Sequence, residues 1–158
     1  MKWSMGNSLR VSAQRKKEPF NMKKVLYKNL NSRQKENYNF TKVASTLADY
    51  GYNCLRLSDD YQGADFIALH SDGSHMMIQL KGRWTIDKKY LDKNIYVCFI
   101  NEHNIYIYNH DEMVKECDNQ NRFTNTSSWI KKGSYSKYSK YGNPPKGFDN
   151  LITTLDRL

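Results

Sequence analysis

A chain of 158 residues is long enough to bury one substantial core, so neither a disulfide framework nor a structural zinc is needed to fold it. Three widely spaced cysteines, Cys54, Cys98 and Cys117, with no CxxC or Cys/His cluster, argue against zinc and read as reduced residues of a cytoplasmic protein. The net charge of +9 is unevenly placed: residues 1–30 hold eight Lys/Arg against one acid, residues 31–130 eleven against thirteen, and residues 131–158 six against two.

A near-neutral body with two basic flanks fits a polyanion partner, most simply nucleic acid; a solvated, highly soluble surface is the other reading. No apolar run approaches membrane-spanning length, and the first twenty residues have no apolar stretch of the kind that opens a secretory signal. Three segments are expected. Residues 1–30 form a basic arm, with Met22 a second candidate start. Residues 31–130 form a core domain, and residues 131–158 a basic, Tyr/Lys-rich segment.

In chain order, Arg33 to Tyr50 predicts a helix, because Phe40, Val43, Ala44, Leu47 and Tyr50 recur at helical spacing. Asn31 or Ser32 can cap it, with Gln34 three residues after Asn31, and Gly51 ends it. Asn53 to Leu57 predicts a short strand, and Ser58 to Gly63 a loop with two adjacent acids. Asp59 and Asp60 either extend a metal site or form a solvated turn, with Arg56 a candidate partner.

Two strands follow, Ala64–Leu69 and His75–Lys81. Their apolar sets, Ala64/Phe66/Ala68 and Met76/Ile78/Leu80, must lie together over the core, because a one-residue slip would bury Gln79 and Lys81. Matching even positions to even positions requires an odd-length connection, such as a three-residue loop near Asp72-Gly73. That register sets Asp65 opposite Gln79 or Lys81. Further on, Ile95–Ile100 and Ile105–Tyr108 predict strands and Asp111–Cys117 a short helix. The tract Lys131–Tyr141 shows little capacity for a core, and Phe148–Leu158 is expected to close as a helix.

An acid, an amide and a lysine on neighbouring strands suit metal-dependent phosphodiester hydrolysis, which needs a hard cation, an activated water and neutralised phosphate charge. Asp65 offers a carboxylate, Gln79 an amide oxygen and Leu80 its backbone carbonyl. Lys81 is suited to act on the attacking water or to neutralise the transition state. Glu36, one turn before Phe40 on the same stripe, is the fourth candidate, although an acid in a first helical turn is also favoured by the helix dipole.

Asp65, the Gln79-Leu80-Lys81 triplet and Glu36, in the order helix then three strands, resemble the PD-(D/E)xK nuclease superfamily over about Arg33 to Tyr108. The stretches Leu57–Ala68 and Asp87–Lys93 look like uncharacterised bacterial members. The resemblance implies an α/β fold with a restriction endonuclease-like core, a mixed β-sheet flanked by helices. It also implies DNA cleavage with Mg²⁺ or Mn²⁺ and, for two-strand cutting, a homodimer. Ala64 stands where the superfamily has proline. Gln79 replaces the usual acid, which removes one negative charge from the metal site; some members carry glutamine there, and others with damaged triplets look inactive. A DNA-binding protein without catalysis, or an accessory interaction module of a defence or repair system, are the rival readings. Arg83, Lys88, Lys89, Lys93, Lys131, Lys132, Lys137 and Lys140 are the candidate phosphate contacts, giving affinity without sequence readout.

Overall fold

A computed structural model describes residues 21–156. Residues 1–20 of the arm expected over residues 1–30 lie outside the described residues. The chain divides into two units, Met1–Leu30 and Asn31–Leu158. In the first, the described residues form a single 3-10 turn at Tyr27–Asn29.

The second unit runs α1 (Ser32–Asp49), β1 (Tyr52–Tyr61), β2 (Ala64–His70), β3 (His75–Lys81), β4 (Thr85–Asp87), β5 (Ile95–Ile100), β6 (Asn104–Asn109), α2 (His110–Asn119), β7 (Ser134–Ser136) and β8 (Thr153–Asp156). It is a mixed α/β fold. Six strands form one mixed sheet in the order β1-β2-β3-β5-β6-β8, and β4 pairs with β7 in a separate two-stranded sheet. Helix α1 starts as its sequence predicts: Asn31 and Gln34 close a reciprocal capping box.

β2 and β3 pair antiparallel with Phe66 opposite Ile78 and Ala68 opposite Met76. The connection is the odd one that the apolar pattern requires. His70 and Ser74 close a three-residue loop, in which Gly73 takes φ +90 and donates its N–H to the His70 carbonyl. Asp72 braces this loop. Hydrogen bonds from Ser74 and His70 hold its carboxyl well below the usual carboxylate range.

β3 and β5 are parallel, so a crossover must join them. Residues 82–94 supply it through β4 and a 3-10 turn at Lys88–Tyr90. Alternation along the strands then builds two cores. Val43 and Leu47 of α1 pack with Phe66, Ala68, Ile78, Cys98, Ile105 and Ile107. Met113, Val114 and Cys117 of α2 pack with Trp84, Tyr90, Val97, Phe99, Tyr108, Trp129 and Phe148.

Three expectations are corrected. β1 does not stop at Leu57 but continues to Tyr61, which pairs with Ala64 across Gln62 and Gly63. Both turn residues have positive φ, the type I′ geometry whose twist matches a hairpin, so the expected loop is strand and tight turn. Lys131–Tyr141 does contribute to the core: β7 pairs with β4, and the Tyr135 ring lies 5.1 Å from Phe123. The helix expected over Phe148–Leu158 is not formed in its described residues, 148–156. After a 3-10 turn at Asp149–Leu151, the β-branched Thr153 and Thr154 extend into β8, which pairs with β6 and buries Leu155.

Candidate active site

The β2–β3 register, carried one step past Phe66 and Ile78, sets Asp65 against Gln79, and their side chains meet. Asp65 Oδ2 accepts from Gln79 Nε2 at 2.6 Å and from the Leu80 backbone N–H at 2.7 Å. The same Gln79 nitrogen lies 3.2 Å from the Leu80 carbonyl oxygen. Two oxygens, one of them a carboxylate, therefore converge on a single donor.

β1 opens the sheet beside this pair. Arg56 pairs with Phe66 and Tyr61 with Ala64, so the four residues 57–60 stand opposite Asp65 alone. Such a bulge bends the strand away from its neighbour. The result is a cleft of about 330 Å³ lined by Leu57, Ser58 and Asp59 of β1 together with Asp65, Gln79 and Lys81. Glu36, Arg56, Ala64, Lys89 and Tyr90 complete its wall. Its size falls at the lower end for ligand sites. The side chain of Asp60 lies outside the described residues.

Tyr90 orders the basic side of the cleft. Its ring is 1 % exposed, and Lys81 Nζ and Lys89 Nζ lie 5.2 and 4.9 Å from its centroid. Cation–π attraction of this kind steers a lysine without neutralising it. Lys81 has no ion pair among the described residues. Gly63 makes room for the ring: a Cβ there would lie 2.7 Å from Tyr90, and φ is +96.

Glu36 lines the same cleft as Asp65. Its carboxylate pairs with Arg56, whose other terminal nitrogen donates to Asn37 and whose guanidinium lies over the Phe40 ring at 5.1 Å. The expectation of a core-facing carboxylate is corrected, since the Glu36 side chain is 62 % exposed. The physical reason is the sheet. Asp65, Gln79 and Lys81 point to the Tyr90 face, whereas α1 packs on the other. Arg56, read from sequence as a partner for Asp59 or Asp60, is held by helix α1.

Among the described residues, no group of three or more His, Cys, Asp and Glu side chains is placed to hold a metal. Two oxygens, of Asp65 and Leu80, are the groups here that would be available to one hydrated hard cation. The Asp65 carboxylate and the Leu80 carbonyl already converge on a hydrogen-bond donor. A turn of the Gln79 amide would replace its nitrogen by Oε1. Magnesium, which is bound by one or two carboxylates and keeps several waters, suits so sparse a set.

The remaining basic candidates separate. Lys89 lines the cleft, while Arg83 and Lys137 line a smaller hollow just past the end of β3. Lys140 lines another with Asn101–Asn104, and Lys88 lies over Trp129. Lys93, Lys131 and Lys132 are exposed and line no hollow described here. Sequence reasoning missed Tyr90 and gave Arg56 no place in the cleft. The close approach of Gly63 to the Tyr90 ring, distant in sequence, carries no local signal. No family model, curated protein or solved structure matches this chain.

Proposed function

We propose that this chain hydrolyses phosphodiester bonds in DNA with a divalent cation, on a restriction endonuclease-like core of the PD-(D/E)xK kind with glutamine in the triplet. The observation that supports it is the convergence of the Asp65 carboxylate and the Leu80 carbonyl on the Gln79 amide nitrogen, with Lys81, two residues after Gln79, on the same face as Asp65 and Gln79.

Asp65 and the Leu80 carbonyl hold the ion on this reading, and Gln79 adds its amide oxygen. The bound cation supplies charge neutralisation at the phosphate and a more acidic water. Lys81 hydrogen-bonds the attacking water or a phosphate oxygen, and Tyr90 keeps its ammonium over the cleft. The attacking water gives one proton to solvent as its oxygen bonds to phosphorus and one ester P–O bond breaks, and the departing alkoxide takes a proton from solvent. Lys89 adds positive charge beside the strand. One site cuts one strand, so duplex cleavage takes two copies or two successive nicks.

A second reading, a DNA-binding protein without catalysis, draws on the pairing of Glu36 with Arg56, while Asp65 is the carboxylate that contacts the Gln79 amide among the described residues. Cleavage of supercoiled, single-stranded and branched DNA in Mg²⁺ or Mn²⁺ separates the two. The nuclease reading expects cation-dependent cutting that falls at least about 100-fold in Asp65→Ala and in Lys81→Ala. Cutting that persists in Asp65→Ala would remove the site. DNA binding by the parent chain with no cutting in either metal would favour the second reading.

A further inference from the structure

Immediately after Lys81 the chain turns through Gly82 and Arg83 into a hollow of about 170 Å³. It is smaller than the clefts that take whole small molecules, and suits a single compact group. Gly82, Arg83 and Trp84 form one side; Lys137, Ser139 and Asn143 contribute to the other. Among the described residues, no Asp or Glu lines it.

The polar groups present donors. The guanidinium of Arg83 and the ammonium of Lys137 have no ion pair among the described residues. Asn143 Oδ1 is already occupied by Asn101 Nδ2 at 3.1 Å and the Tyr106 hydroxyl at 3.4 Å, which leaves its Nδ2 as the open group. Ser139 Oγ accepts from the Asn143 N–H at 3.3 Å, so its own proton remains to be donated. Trp84, 1 % exposed, carries a buried indole N–H with no acceptor among the described residues. A buried donor without a partner costs about 1–3 kcal/mol, and this one belongs to a residue lining a donor-rich hollow.

We infer that this hollow is a phosphate subsite, and that its ligand is an internucleotide phosphodiester of the strand held in the Asp65 cleft. Arg83 is the principal contact, since its planar fork matches phosphate oxygens, with Lys137 adding charge. The assignment rests on the DNA reading proposed above. Two residues of chain span at most about 7 Å, so Arg83 is tied within that reach of Lys81. A strand engaged at Lys81 therefore runs near Arg83, and the subsite takes a phosphate neighbouring the one in the cleft.

Fluorescence anisotropy on a labelled duplex, in EDTA so that nothing is cut, reads the subsite through salt. Each phosphate contact contributes about 0.9 to the slope of log K against log salt. Arg83→Gln is expected to lower that slope by about one and to weaken binding several-fold at low salt. Lys137→Gln is expected to do the same more weakly, and Arg83→Lys to restore the slope. Calorimetry with inorganic phosphate distinguishes a free-anion site. Phosphate binding that is lost in Arg83→Gln while the DNA slope stays at the parent value overturns the assignment. An unchanged slope in Arg83→Gln, with cutting by the parent chain intact, overturns the subsite alone. No DNA binding by the parent overturns both readings. A lowered slope without any cutting keeps the subsite and removes the catalysis.

Discussion

The β2–β3 hairpin and the β4–β7 pair are both antiparallel, yet they are held by different means. The hairpin joins two seven-residue strands through residues 71–74, and alternation along both strands fixes its register. The β4–β7 pair joins two three-residue strands that are remote in sequence. Ladder bonds over so short a length are few, and buried side chains replace them. The Tyr108 hydroxyl donates to the Thr85 carbonyl at 2.6 Å and accepts from the Thr85 N–H at 3.1 Å. His110 Nε2 accepts from the Asp87 N–H at 3.0 Å, and the Thr85 and Ser136 hydroxyls meet at 2.8 Å. Burial pushes the Tyr108 phenol far above its ordinary range, so it stays a donor at any accessible pH. The hairpin aligns the chemical groups; the remote pair and the turn that follows β4 carry Tyr90 and the basic wall.

That contrast explains what the sequence reveals. Helix α1, its cap and the hairpin were legible because each is specified within a few residues, by Asn31 with Gln34 or by the alternation around Phe66 and Ile78. The meeting of Asp65 with Gln79 followed from the same register. β4 was not legible, because Thr85, Ile86 and Asp87 show no period and gain their structure from Tyr108 and His110. The bulge opposite Asp65 was hidden for a related reason: it depends on the Gln62-Gly63 turn restarting the pairing at Tyr61. Glu36 misled, because helical spacing places it on a stripe with Phe40 but cannot show that Arg56 waits at the end of that stripe.

The largest effect expected is on the remote pair. Trp84 is 1 % exposed and its ring lies 5.1 Å from Phe123, 6.3 Å from Phe148 and 6.4 Å from Tyr135. Trp84→Ala should cost about 3–5 kcal/mol, read as a lowered midpoint in urea unfolding. A loss below about 1 kcal/mol would show that buried aromatics do not hold the β4–β7 side, and the contrast with the hairpin would collapse.

A smaller effect should appear with pH. His110 is buried, and desolvation pushes its imidazole below the ordinary histidine range, against the upward pull of the Asp111 and Asp87 carboxylates. Its Nε2 accepts from Asp87, which requires the neutral ring. A folded pKa below the unfolded one means that the unfolded chain binds more protons. The contribution is therefore complete above about pH 6.5 and is lost as pH falls through that value toward the folded pKa. The urea midpoint should fall between pH 7.5 and 5.5, and His110→Gln, whose amide oxygen can still accept from Asp87, should flatten that fall. An equal slope in parent and variant would assign the pH dependence elsewhere and detach His110 from the stability of β4.

The smallest effect expected sharpens the cleft beside the hairpin. If Glu36 serves to hold Arg56, Glu36→Gln keeps an acceptor for the guanidinium and removes only charge. Exposed ion pairs contribute about 0.2–1 kcal/mol, so stability should change by less than about 1 kcal/mol. Mn²⁺ affinity, followed by calorimetry, should stay within about twofold of the parent, because the Asp65 and Leu80 oxygens that converge on Gln79 are untouched. A tenfold loss of Mn²⁺ affinity would instead make Glu36 a ligand that must leave Arg56 before the cation binds. The paired arrangement of Glu36 and Arg56 would then be the metal-free state of a site that rearranges on loading.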